Sequence, residues 1–176
     1  MTALKAVQGR FRLEPTAGFG FPWADLWGPD GLVAGFGRFS AINLFLLRGQ
    51  RIVLVDGRSW RLKGLPWHQF VCPALFDAEG RRLATSAPGH GTYAVTCRDR
   101  GFTLIPAEKR PGRPRLWQLM EFGEPVARIR RNPYEAEVET PIPLPALAIS
   151  FGLAAFGVMG EKDLTVGTSW AAPQSG

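Results

Sequence analysis

Cysteine and histidine are scarce in this chain of 176 residues, which has two of each: Cys72 and Cys97, His68 and His90. Two cysteines cannot make a disulfide framework, and without a CxxC spacing they indicate neither zinc binding nor thiol exchange. Both are expected as reduced, buried hydrophobes. Neither histidine has a second His, Cys or Asp at metal-ligand spacing, and His90 lies in the loop-like run Pro88-Gly-His-Gly91. The nucleophile elbow GxSxG, the phosphate loop GxxxxGK[ST] and a papain-like cysteine context are all missing. The glycine pairs of Gly18-Phe-Gly-Phe-Pro22 and Gly35-Phe-Gly37 lead into no helix start, so they read as bulges and turns instead of phosphate cradles. The expectation is a non-enzymatic protein with no catalytic residue, no metal and no cofactor. The first residues, Met1-Thr-Ala-Leu-Lys-Ala-Val, lack the apolar core of a secretion signal, so a cytoplasmic protein is expected.

What is present is an ordinary globular balance, 45% hydrophobic and 20% charged, which suffices for a core in one domain. The expected domain covers residues 1–163, followed by a flexible tail over 164–176. The net charge of +6 is unevenly placed. From Asn132 onward Glu135, Glu137, Glu139, Glu161 and Asp163 face only Lys162, a balance of −4, so the first 131 residues carry +10.

Glycine (21 residues) and proline (15) are scattered between short apolar runs, the pattern of many strands joined by many turns. Gly28-Pro29-Asp30-Gly31, Asp77-Ala-Glu-Gly80 and Phe122-Gly-Glu-Pro125 each divide two such runs. Ala41–Leu47 and Arg51–Val55 flank Arg48-Gly49-Gln50, and Tyr93–Cys97 and Phe102–Ile105 flank residues 98–101. If Arg131-Asn-Pro-Tyr134 is also a turn, Arg130 falls opposite Glu135 and Arg128 opposite Glu137, and the Arg128, Arg130 and Arg131 cluster reads as a self-neutralised face. The sheet is therefore expected to be antiparallel and meandering.

Near the C-terminus the pattern changes. From Pro141 to Gly160 there is no charge, and the prolines stop at Pro145, where the first turn of a helix tolerates one. Leu144–Met159 is apolar on every side and predicts a helix that must be wrapped by protein or lipid. Sixteen residues at ~1.5 Å each fall short of the ~30 Å bilayer core, which favours a buried core helix over a membrane anchor.

Asp-x-x-Gly hairpins, then a strand like Glu124-Pro-Val-Ala-Arg-Ile-Arg-Arg, a strand like Tyr134-Glu-Ala-Glu-Val-Glu and an apolar helix resemble the C-terminal half of tubby-like barrels. That superfamily joins tubby C-terminal domains, LURP-one-related proteins and phospholipid scramblases. The resemblance covers about Trp67 to Met159. It implies an all-β fold with one hydrophobic helix: a closed antiparallel meandering barrel of about 12 strands enclosing Leu144–Met159 as its central helix.

Basic and aromatic residues interleave at Arg58-Ser-Trp-Arg-Leu-Lys-Gly-Leu-Pro-Trp-His68. In a strand, Trp60, Leu62 and Gly64 face one way, Arg61 and Lys63 the other. With the basic run of residues 109–115, this gives Arg58, Arg61, Lys63, Arg113 and Arg115 as candidate contacts for an anion or anionic lipid. The function expected is a binding or scaffold module of tubby/LURP-one-like type that uses a basic barrel face. Its partner would be anionic membrane lipid or a protein, peripherally at the inner membrane face. The competing expectation is an accessory subunit of a membrane complex with residues 144–159 in lipid or against a partner's helices. Nucleic acid is disfavoured, since no recognition motif accompanies the charge.

Overall fold

The computed structural model describes residues 5–16, 23–36, 50–67, 70–108, 114–131 and 133–155. Its strands are β1 (Ala6–Thr16), β2 (Trp23–Gly28), β3 (Gly31–Phe36), β4 (Gln50–Leu54), β5 (Ser59–Trp67), β6 (Phe70–Phe76), β7 (Arg82–Pro88), β8 (Tyr93–Cys97), β9 (Arg100–Pro106), β10 (Leu116–Glu121), β11 (Glu124–Arg130) and β12 (Glu135–Pro143); helix α1 (Leu144–Ala155) follows directly. Each strand pairs antiparallel with the next, and β12 returns to pair with β1, so these twelve strands close into a barrel. The expected Ala41–Leu47 strand and residues 156–159 of the expected helix lie outside the described residues.

Alternation along the strands decides what the barrel encloses. In β5, Trp60, Leu62 and Gly64 are buried while Arg61 is exposed and Lys63 partly so, as the period-2 pattern requires. Inward side chains line up across neighbouring strands. Phe11 lies opposite Ala136, Ala136 opposite Ile129 and Ile129 opposite Trp117. On the other side Leu62 faces Leu75 and Leu75 faces Ala84. A ring of twelve strands is too wide for such side chains alone to fill. The remaining space is taken by α1, of which Ala146, Leu147, Ile149, Ser150 and Phe151 are completely buried and Leu144, Ala148, Leu153 and Ala154 nearly so. A helix covered on every side by strands presents none of these residues to lipid, and among the described residues no helix is long and apolar enough to cross a membrane.

Because the strands alternate in direction, one end of the barrel, here called the base, carries the start of β1, the turns β2–β3, β4–β5, β6–β7, β8–β9 and β10–β11, and the junction of β12 with α1. At that junction the Leu144 N–H donates to the Lys5 carbonyl at 2.9 Å, which ties the foot of the helix to the chain just before β1. Gly9 lies at the neighbouring irregularity, where β12 carries two more residues than β1 between successive pairs: its φ is +102°, and a Cβ there would stand 2.7 Å from Pro29 Cγ.

Cys97, on the inner face of β8, is a free buried thiol, and burial pushes it up to about 11 against the smaller opposing pull of Arg98, Arg100 and the Ala146 backbone. In a Cys72→Ser background Cys97 is therefore expected to stay unreactive toward a thiol reagent at neutral pH until denaturant is added; absorbance of the released thiolate would measure this. Phe151→Ala, which empties the barrel axis, is expected to cost about 3–5 kcal/mol in urea unfolding. A loss under about 1 kcal/mol would mean that the helix does not fill the lumen.

Candidate functional site

The outer surface of the barrel has two unlike walls. On β11, β12 and β1 the charges alternate in sign across strands: Arg10 and Arg128 flank Glu137, and Arg12 and Arg130 flank Glu135. This is the Arg130–Glu135 and Arg128–Glu137 pairing expected from the turn after Arg130. The Arg128 side chain settles diagonally on Glu139 at 3.2 Å. Opposite charges placed this way stabilise the sheet by a few tenths to about 1 kcal/mol per pair and leave little field for a ligand.

The wall from β3 to β9 is different. None of these seven consecutive strands contains an aspartate or a glutamate. Four cations stand on its outer face: Arg51 on β4, Arg61 and Lys63 on β5, and Arg82 on β7. Register sets Arg51 directly opposite Arg61, Arg61 opposite Phe76, and Phe76 opposite Arg82, so one transverse row holds three guanidinium groups and a phenyl ring. The Lys63 ammonium lies 5.6 Å from the centre of the Phe76 ring. None of the four cations has a carboxylate within ion-pair distance among the described residues. Directly opposed like charges on neighbouring strands cost stability.

Below this row, at the base, a groove of about 350 Å³ is bounded by Arg58, Ser59, Arg81, Arg82 and Arg98 over Trp60 and Leu83. Here carboxylates are present but engaged. Arg58 pairs with Asp56 at 2.6 Å, and Arg81 binds both Asp77 at 2.7 Å and Glu79 at 2.9 Å. The Arg58 side-chain hydrogen bond, foremost, holds the Asp56 carboxyl below its ordinary range. For Asp77 burial works in the raising direction, and the Arg81 side-chain and backbone hydrogen bonds more than reverse it. Further round the base, the Arg100 guanidinium donates to both carboxylate oxygens of the buried Glu121, at 2.7 and 2.5 Å, and to the Pro141 carbonyl at 3.1 Å. It thereby clasps β9, β10 and β12 beneath the helix.

Of the residues expected to bind an anion, Arg61 and Lys63 share the acid-free wall, and Arg58 lies at its foot in an ion pair. Arg115 is not with them: it precedes β10 at the opposite end of the barrel, where its carbonyl accepts from the Arg131 N–H. Arg113 lies outside the described residues. Two members of the patch, Arg51 and Arg82, were missed by sequence reading. For Arg51 there was a signal, because Val55-Asp56-Gly57 is a three-residue hairpin loop and the pairing it sets places Arg51 against Arg61.

Fold and surface thus define a closed antiparallel barrel around a helix, with one neutralised wall and one cationic wall. No protein family, curated protein or solved structure matches the chain.

The depressed acids of the base give a pH dependence. A carboxylate with a lowered folded pKa contributes stability that is complete above its unfolded value, ~3.9, and is lost as pH falls through the folded value. Denaturation at about pH 6 and about pH 2.5 should therefore show a larger acid-induced loss for the native chain than for Asp77→Asn. Equal losses would mean that the Asp77–Arg81 pair has no energetic weight.

Proposed function

We propose that the chain is a non-enzymatic binding module of tubby/LURP-one-like type that holds anionic membrane lipid on its β4–β7 wall. The observation that carries this reading is the row Arg51–Arg61–Phe76–Arg82 with Lys63 over the ring: cations set against each other, with no carboxylate on those strands. On β11, β12 and β1, by contrast, glutamates stand across from the arginines. A phosphate-rich surface would supply the missing counter-charge. Arginine suits that role, because its planar fork can meet a phosphate through two parallel hydrogen bonds. The closed barrel around a C-terminal helix supports the tubby-like part of the reading, since it is the arrangement that resemblance implies. Such a protein would work in the cytoplasm, peripherally at the inner face of the membrane, with the helix serving the fold and the wall serving the ligand.

Co-sedimentation with vesicles tests this. Phosphatidylcholine vesicles containing roughly 30% phosphatidylserine should bind the protein at low salt and release it as ionic strength rises toward about 0.5 M, while neutral vesicles bind little. Each cation near such a surface contributes about 1 kcal/mol, so Arg51→Glu with Arg61→Glu should weaken binding at least about tenfold. Arg61→Glu alone should at the same time raise stability by a few tenths to about 1 kcal/mol, because it faces Arg51 with an opposite charge. Equal binding to neutral and anionic vesicles at low salt would sink the proposal.

A further inference from the structure

Among the described residues three large apolar side chains are exposed: Phe122 at 95%, Val55 at 64% and Leu32 at 42%. All three are at the base. Phe122 begins the two-residue turn of the β10–β11 hairpin, Val55 lies in the β4–β5 turn, and Leu32 is the second residue of β3. The two hairpins are six strands apart in a ring of twelve, so their tips stand on opposite sides of the base. With strands ~4.8 Å apart and tilted as barrel strands are, that separation is roughly 20–25 Å.

Phe122 is anomalous in its backbone as well. Its φ is 50° and that of Gly123 is 87°. A two-residue turn with both φ positive suits Asn-Gly or Asp-Gly, and a bulky side chain there is strained. The fold thus keeps a phenylalanine in full contact with water at a position where phenylalanine is a poor fit. Burial in the core does not account for it. An exposed aromatic held at a strained turn is what a surface that takes up that side chain would require.

The position of the tips says what kind of surface. Two apolar tips on opposite sides of one barrel end match a flat apolar layer, whereas a protein groove receiving both would have to be as wide as the barrel. The base itself carries seven carboxylates against six cations: Arg58, Arg81 and Arg100 hold Asp56, Asp77, Glu79 and Glu121, and Asp30, Asp99 and Glu124 face Lys5, Arg82 and Arg98. This net −1 is outweighed by Arg51, Arg61 and Lys63 on the wall that rises from it. Arg58 and Arg82 bring the foot of the cationic wall to the same level. We infer that the protein sits on an anionic bilayer base-first, with Phe122 and Val55 entering the headgroup and upper acyl region. This rests on the lipid reading above and adds an orientation and an insertion step. The wall supplies an attraction that salt screens, and the tips supply apolar burial that salt does not screen.

The full chain, with phosphatidylcholine/phosphatidylserine vesicles as the probe, separates the two contributions. Phe122→Asn and Val55→Ser, which change no charge, should each lower partitioning about tenfold while leaving the salt dependence unchanged. Arg51→Glu with Arg61→Glu should instead flatten the salt dependence. Phe122→Asn, which suits the left-handed turn, should also melt at or above the native temperature, so its weaker binding is not a loss of fold. If the tip variants bind within twofold of the native chain while the wall variant is impaired, base-first insertion is overturned and lipid binding by the wall stands. If the native chain ignores anionic vesicles, both are overturned.

Discussion

Everything in this structure depends on a helix that has no polar face. Leu144–Ala155 carries a single hydroxyl, that of Ser150, and no charge, so it cannot rest on one side of a sheet with its other side in water. It must be surrounded. An antiparallel meander of twelve strands does this by closing β12 on β1, and closure also removes the exposed strand edges that a long meander would otherwise present. The helix in turn fills a lumen that the inward-facing alanines of several strands, Ala34, Ala84, Ala127 and Ala136 among them, leave open. Each part buries the apolar surface of the other. The join between them, where Leu144 bonds back to Lys5 and Arg100 grips Glu121 and Pro141, concentrates hydrogen bonding at the base.

Once the interior is fixed in this way, the outer face is free to vary, and its variation is where function can be read. The wall of β11, β12 and β1 uses arginine and glutamate as cross-strand partners, which also opposes slippage: a one-residue shift would turn those charges inward and the apolar residues outward. The β4–β7 wall cannot use the same device, having no acid. Its register is held instead by the inward residues, Ile52 against Trp60 and Leu62 against Leu75, which are buried strongly enough to tolerate Arg51 facing Arg61. The repulsion is thus carried by the core beneath it.

The sequence made some of this legible because the signals were local. The alternation of Trp60-Arg-Leu-Lys-Gly64 fixed which side chains of β5 face out, the turn after Arg130 set the pairing of β11 with β12, and twenty uncharged residues from Pro141 marked the helix. The closed barrel of about twelve strands came from family resemblance and not from any residue pattern. What stayed hidden was non-local or irregular. Arg82 reaches the row beside Phe76 only because a bulge between Leu75 and Phe76 shifts the register of β6 against β7. Arg115 looked like a partner of Arg61 in a list of basic residues, yet β10 is five strands from β5 in the ring and Arg115 is at its far end. Glu121, next to a turn, has no local signal of burial. It turns inward because Arg100, 21 residues away in sequence, lies beside it on the neighbouring strand.

The two features of the described surface that folding does not explain, the acid-free cationic wall and the exposed Phe122, both reach the base, on different sides of it. Each works against stability in a different way, one through like-charge repulsion and one through a strained turn with a solvated aromatic ring. Substitutions that relieve either are simple in chemical terms: a glutamate at Arg61, an asparagine at Phe122. A protein selected only to fold would have no reason to keep the present residues at both places. An anionic interface is one environment that reverses both costs together, because it neutralises opposed guanidinium groups and takes the ring out of water. At such an interface, repulsion and exposure would become attraction and burial.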